Sequence, residues 1–92
     1  MATFIVLCTF TPEATMERIT DLAPAERAAA HLLQQAGRIG AIHIALPRRT
    51  VFIEVFADDV AAAEATVREL PFAPLWSLDL YPVTAPPAPA AA

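Results

Sequence analysis

The stretch Leu70-Pro71-Phe72-Ala73-Pro74-Leu75-Trp76, running directly into Ser77-Leu78-Asp79-Leu80-Tyr81-Pro82-Val83, constrains this chain more than any other part of it. Pro71 lacks the N–H that a continuing helix needs, so the helix before it must stop, and Pro74 stiffens a short connector. The residues beyond alternate and are rich in aromatic and branched apolar side chains, as a strand is. The last element is therefore a strand that carries one acid, Asp79, in an otherwise apolar run.

Working back from that strand, Asp58 or Asp59 caps a helix in which Val60, Ala63, Val67 and Leu70 line one side. Glu64 and Arg68 form an exposed i,i+4 pair on it. Thr50–Ala57 and Arg38–Leu46 read as strands, joined by Pro47-Arg48-Arg49, a connection of hairpin length. Glu13–Ala36 reads mostly as helix, with Asp21 as its expected cap, Pro24 near a first turn or kink, and Gly37 as its stop. Its expected core stripe is Leu22, Ala25, Ala29, Leu32, Leu33 and Ala36. Thr3–Phe10 is apolar on both sides, as a central strand is.

The order β-α-β-β-α-β is the ferredoxin-like α+β plan, a four-stranded antiparallel sheet with both helices on one face. The opposite face would carry exposed apolar residues such as Ile5 and Leu7, and a face of that kind needs a partner. Two such sheets packed together make a dimeric α+β barrel with an enclosed cavity per subunit. Residues 1–84 form one domain, and the Pro- and Ala-rich 85–92 is expected to be a disordered tail.

A chain of 92 residues buries only about 60–65% of its unfolded surface, which also favours a homodimer or higher homo-oligomer. The net charge of −4 argues against nucleic acid as a partner. No apolar run approaches the ~20 residues of a membrane span, and Met1-Ala2-Thr3-Phe4 lacks the basic region of a signal peptide. A soluble, cytoplasmic protein away from membranes is expected. All six basic residues are arginine, which removes lysine Schiff-base chemistry. Cys8 has no partner for a disulfide, and two histidines without spaced cysteines make a poor metal set, so no metal or cofactor is expected.

With these elements in place, the chain resembles the muconolactone isomerase family of the dimeric α+β barrel superfamily. The likeness runs ungapped from Glu26 to Val83 and is strongest at Leu70-Pro71-x-x-Pro74 with an acid at Asp79. Glu26-Arg27 stands where the family has Glu-Lys, Gly37-Arg38 matches a Gly-Lys turn, and Arg48 matches the arginine of a Gly-Arg-Tyr hairpin. The family's tryptophan-bearing second strand is here Ile39-Gly40-Ala41-Ile42-His43, and two polar residues of the third become Val51 and Ile53. The resemblance implies a cofactor-independent isomerase, and the more apolar strands imply a larger, greasier ligand.

Glu26 is the first catalytic candidate. It sits roughly 60–70° from the centre of the apolar stripe at 100° per residue, where a carboxyl can reach a cavity while partly desolvated. Desolvation raises a carboxyl pKa toward what a proton shuttle needs. A solvated first-turn glutamate is the plainer alternative. His43, between small neighbours Ala41 and Ala45 on its strand face, is a second acid/base candidate beside a structural role. Glu54 and Asp79 are acids in apolar strands that face a cavity, pair with arginine, or point to solvent. Arg48 would clamp a substrate carboxylate, and Arg49 reads as a solvated turn residue. Trp76, with Phe4, Phe10, Phe52 and Phe56, would wall a pocket for a planar small-molecule substrate or simply fill the core.

Three functions fit these residues. The first is a proton-transferring isomerase of a small unsaturated lactone or related oxygenated skeleton, acting in a barrel cavity. The others are a cyclase or cofactorless monooxygenase of polycyclic aromatics, and a non-catalytic small-ligand-binding module.

Overall fold

The computed structural model describes residues 1–87. Its elements are β1 (Ala2–Phe10), α1 (Met16–Gln35), β2 (Ile39–Ala45), β3 (Thr50–Ala57), α2 (Val60–Val67) and β4 (Trp76–Val83). Short 3-10 turns at Leu46–Arg48 and Ala73–Leu75 precede β3 and β4. The four strands form one antiparallel sheet in the order β2-β3-β1-β4, the ferredoxin-like arrangement expected from the element order. Residues 85–87 are exposed and without regular structure, and the rest of the expected tail lies outside the described residues.

Strand alternation decides which side chains meet the helices. Phe4, Val6 and Cys8 of β1 join Val51, Ile53, Val55 and Ala57 of β3 in a core that also takes Ala30 and Leu33 from α1 and Ala63 and Val67 from α2. Both helices therefore cover the same face. The opposite face is open. Across its middle run His43, Phe52, Leu7 and Asp79, paired strand to strand, with Glu54, Ile5 and Tyr81 in the next row.

α1 lies within the expected Glu13–Ala36 span, but its cap differs. Thr15, not Asp21, is the cap, and its Oγ1 accepts from the Arg18 N–H at 3.2 Å. Pro24 consequently lies well inside the helix. It is tolerated there because Pro24 and Thr20, whose carbonyl loses its partner, are both exposed and water can replace the missing bond. Part of the expected stripe holds, with Leu33 buried and Ala29 packed on the core, but Ile19, Ala23, Glu26 and Ala30 also face the sheet and Leu32 is 65% exposed. Gly37 supplies the left-handed stop at φ 72°, and Asp59 caps α2 through the Ala62 N–H at 2.8 Å. Arg38, just before β2, bonds Thr66 in the last turn of α2 and Glu69 just beyond it.

The hairpin turn between β2 and β3 gives its two exposed arginines different surroundings. Arg49, the one non-glycine residue with positive φ (49°) among those described, bonds the Thr11 and Ala14 carbonyls through its guanidinium at 3.1 and 3.0 Å. Left-handed backbone at a residue with a Cβ costs about 1–2 kcal/mol, so the side-chain bonds must offset it. Glycine at Arg49 is expected to relieve the strain yet still destabilise the fold, and alanine to be worse than glycine by about 1 kcal/mol. Urea denaturation of the two variants beside the parent checks that order.

Candidate functional site

α1 meets the sheet partly through alanines, which are too short to fill the gap beneath the helix. The result is a cavity of about 340 Å³. Ile19, Ala23, Glu26, Arg27 and Ala30 close it on the helix side, and Phe10, Ile42, Ile44, Leu46 and Val51 form its floor. Phe72 and Trp76, on either side of Pro74, close the end. A smaller adjoining groove shares Phe10, Ile19, Ile44 and Leu46 and adds Met16. Met16, Ile44 and Leu46 are 69%, 66% and 78% exposed, so the mouth is apolar and wet.

Glu26 and the neighbouring Arg27 supply the ionisable groups of this cavity. The position of Glu26 follows from a count of backbone donors in the connector before β4. The N–H groups of Glu69, Leu70, Ala73, Leu75 and Trp76 reach carbonyls three residues back. Pro71 and Pro74 have no N–H. Only Phe72 is left over, and a buried amide must find an acceptor. It donates to Glu26 Oε1 at 2.8 Å. With Pro71 and Pro74 contributing no N–H, Phe72 holds the connector donor that anchors the carboxyl. Burial pushes the Glu26 pKa above the ordinary carboxylate value, and the Phe72 bond offsets this only in part. The same burial, with the Glu26 charge adding to it, pushes the Cys8 thiol up to about 12, so Cys8 packs as an apolar side chain.

Phe10, Phe72 and Trp76 form an aromatic cluster at the closed end, with ring centroids 5.4 to 5.8 Å apart and edge-on or tilted planes. That is the favourable arrangement for aromatic pairs.

The remaining candidates lie elsewhere. His43 and Glu54 border a groove of about 310 Å³ on the open sheet face, with Ile5, Ala41 and Phe52. Glu54 folds over the irregularity in β2 and accepts from the Ala41 N–H at 3.3 Å. Gly40 makes this possible, since a Cβ there would sit 2.2 Å from Glu54 Oε1. Asp79 is on the open face too and accepts from the Tyr81 hydroxyl at 2.8 Å, which raises the Tyr81 pKa. Arg48 is exposed at the hairpin tip and borders neither cavity; Arg27 is the arginine beside Glu26. The sheet therefore separates Glu26 and Trp76 from His43, Glu54 and Asp79, Arg48 stands apart from both groups, and the six do not converge. Phe72 was missed because its contribution is a backbone group, although the two flanking prolines were the signal that could have found it.

No protein-family model and no curated protein matches the sequence. Among solved structures, the crystal structure of muconolactone isomerase superposes with a TM-score of 0.73 at 18% identity, covering 98% of this chain and 96% of that one. The chain has the muconolactone isomerase fold. At this identity the superposition speaks for the fold: the antiparallel sheet, its strand order and the two helices over one face are those of muconolactone isomerase. No helix among the described residues is long and apolar enough to cross a membrane.

Proposed function

We propose that the chain is an isomerase that moves a proton within a small, largely apolar, oxygenated substrate held between α1 and the sheet. One observation carries this reading: a half-buried carboxyl in an apolar cavity, held through one oxygen by the Phe72 N–H, with its pKa raised. Moving a double bond in an unsaturated lactone requires a base that takes a proton from one carbon and returns it two carbons away on the same face. The negative charge rests meanwhile on the carbonyl oxygen as a dienolate. A desolvated carboxylate has the basicity for this, and a single anchored one suffices. The fold shared with muconolactone isomerase supports the same chemistry for this chain. Arg27 at the cavity wall would take an anionic substituent, a role Arg48 is not placed to fill.

The test is isomerisation of a β,γ-unsaturated butenolide in D₂O, followed by ¹H NMR. Wild-type protein should accelerate both isomerisation and deuterium incorporation. Equal rates with wild-type and E26Q protein would leave a non-catalytic binding module as the better reading. The aromatic end wall favours, as a second reading, cyclisation of a polycyclic substrate.

The proposal includes a second copy of the chain over the open sheet face. Ile5, Leu7, Phe52 and Phe56 are only half-buried there, and Tyr81 and Val83 are exposed. A two-fold axis along the strands would set His43 of one copy over Asp79 of the other, since they end the same transverse row. Arginine in place of Leu7, at the centre of that row, is expected to halve the mass in sedimentation velocity. A wild-type protein that already sediments as a monomer would refute the association.

A further inference from the structure

We infer that the substrate of the α1–sheet cavity carries an unbranched apolar chain, which runs from Glu26 out through the mouth and lies in the groove between Met16, Ile44 and Leu46. The inference rests on the proposed function for the ring that reacts at Glu26. The chain then names the substrate class: an alkyl-substituted lactone rather than a bare one.

Met16 begins α1, Ile44 lies on the edge strand β2, and Leu46 opens the turn that follows it. Edge strands and turns ordinarily carry charged or polar side chains. A single exposed apolar residue needs no explanation. These three, all largely exposed, line one groove, and a contiguous patch does need one. The groove is continuous with the main cavity, since Phe10, Ile19, Ile44 and Leu46 bound both. Its polar side chains are turned to the protein: the Arg49 guanidinium donates to the Thr11 and Ala14 carbonyls, and the Thr50 hydroxyl to the Arg48 carbonyl.

Length, width and polarity agree on the occupant. Met16, Ile19 and Ala23 follow one another along α1 toward Glu26, facing Leu46, Ile44 and Ile42 of the β2 side. Met16 is about 15 Å from Glu26 measured along the helix, farther than a single small ring extends. The groove encloses about 100 Å³, less than the roughly 150 Å³ that takes a benzene ring, so it suits a chain. The main cavity, at about 340 Å³, has room for the ring. Glu26 and Arg27 belong to the main cavity, which places the oxygenated ring there. Phe72 and Trp76 close the far end, so a substituent on that ring is directed to the mouth. Methylenes lying in the groove cover apolar surface of the protein as well as their own.

The experiment titrates protein labelled with ¹³C-methyl methionine with saturated γ-lactones that differ only in their alkyl chain: methyl, butyl and hexyl. These compounds have no double bond to move, so binding is read apart from turnover. Affinity is expected to rise about two- to fourfold for each added methylene. The Met16 methyl resonance should shift with the hexyl compound and stay in place with the methyl one. Met1 and Met16 are the two methionines of the chain, and Met16→Gln assigns the signals. In the double variant with Leu46→Gln the rise per methylene should flatten, the hexyl compound losing about tenfold. Both positions are largely exposed, so the variant tests the groove rather than the fold. Affinity independent of chain length in the wild-type protein, or a slope that survives in the double variant, overturns the inference. So does a sedimenting mass that falls in the double variant while the Met16 resonance ignores the hexyl compound, because a second copy then covers the groove. Failure of the proton-transfer reading looks different. In that case the chain-length dependence remains, but wild-type protein catalyses no deuterium exchange into a butenolide.

Discussion

Glutamine in place of Glu26 is expected to slow proton transfer by about 10²- to 10⁴-fold, the usual contribution of a positioned acid–base group. The amide oxygen can still accept from the Phe72 N–H, so the anchor and the cavity shape survive while the base is lost. In the wild-type protein kcat/KM should rise with pH as Glu26 ionises, with a midpoint above the ordinary value of 4.5, and that rising limb should vanish in E26Q. Stability should move the other way. A carboxyl whose folded pKa lies above its unfolded one favours the fold while protonated, and loses that contribution as pH rises through the folded value. The Tm advantage of E26Q should therefore be small near pH 4 and grow toward pH 8, at about 4–8 °C for each 1 kcal/mol in a domain this size. A Tm difference independent of pH would mean that burial does not govern this group.

Leucine in place of Ala23 is the second large effect. Ala23 lies one turn before Glu26 on the inward face, and its small side chain leaves part of the cavity empty. Filling that space should stabilise the domain by about 0.5–2 kcal/mol, as cavity-filling changes commonly do. The same side chain occupies the volume a substrate needs, so ligand affinity should drop at least tenfold, roughly 1.4 kcal/mol or more. Calorimetric unfolding and a binding titration on one preparation measure both quantities. A variant that is less stable and binds as before would place the ligand elsewhere, with the open-face groove beside His43 the next place to look.

Much of the architecture was legible because it rests on local chemistry. Pro71 marked the stop of one helix, Gly37 that of the other, and alternation in β3 and β4 assigned each strand acid to a side-chain set. The sets proved correct: Asp79 with Tyr81, Glu54 with Phe52, His43 with Ala41 all share one face. Which face meets the helices is a different matter, since both sets in β1 are apolar and only packing chooses between them. The difference in the inward face of α1 has a similar origin. Alanine is small enough to sit on either side of a helix, so the exposed Ala25 reads as inward as Ala23 and Ala30. Glu26 was thereby read as a border residue when it stands in the middle of the inner row. The two arginines of the hairpin turn were unreadable for a further reason. Their roles depend on a left-handed backbone at Arg49 and on carbonyls 35 and 38 positions away.

That arginine has a kinetic consequence. By holding the Thr11 and Ala14 carbonyls, Arg49 fastens the hairpin to the loop that leads into α1, and those two segments flank the apolar mouth. A hinge between them would have to break both bonds at once. The gate is left to Met16, Ile44 and Leu46, exposed side chains whose rotamers exchange in picoseconds to nanoseconds rather than the microseconds of a moving loop. On the proposed function, substrate would pass without a lid having to open. The proposed isomerase would then be paced by its chemical step, and a substrate isotope effect on kcat is expected at nearly its full intrinsic size.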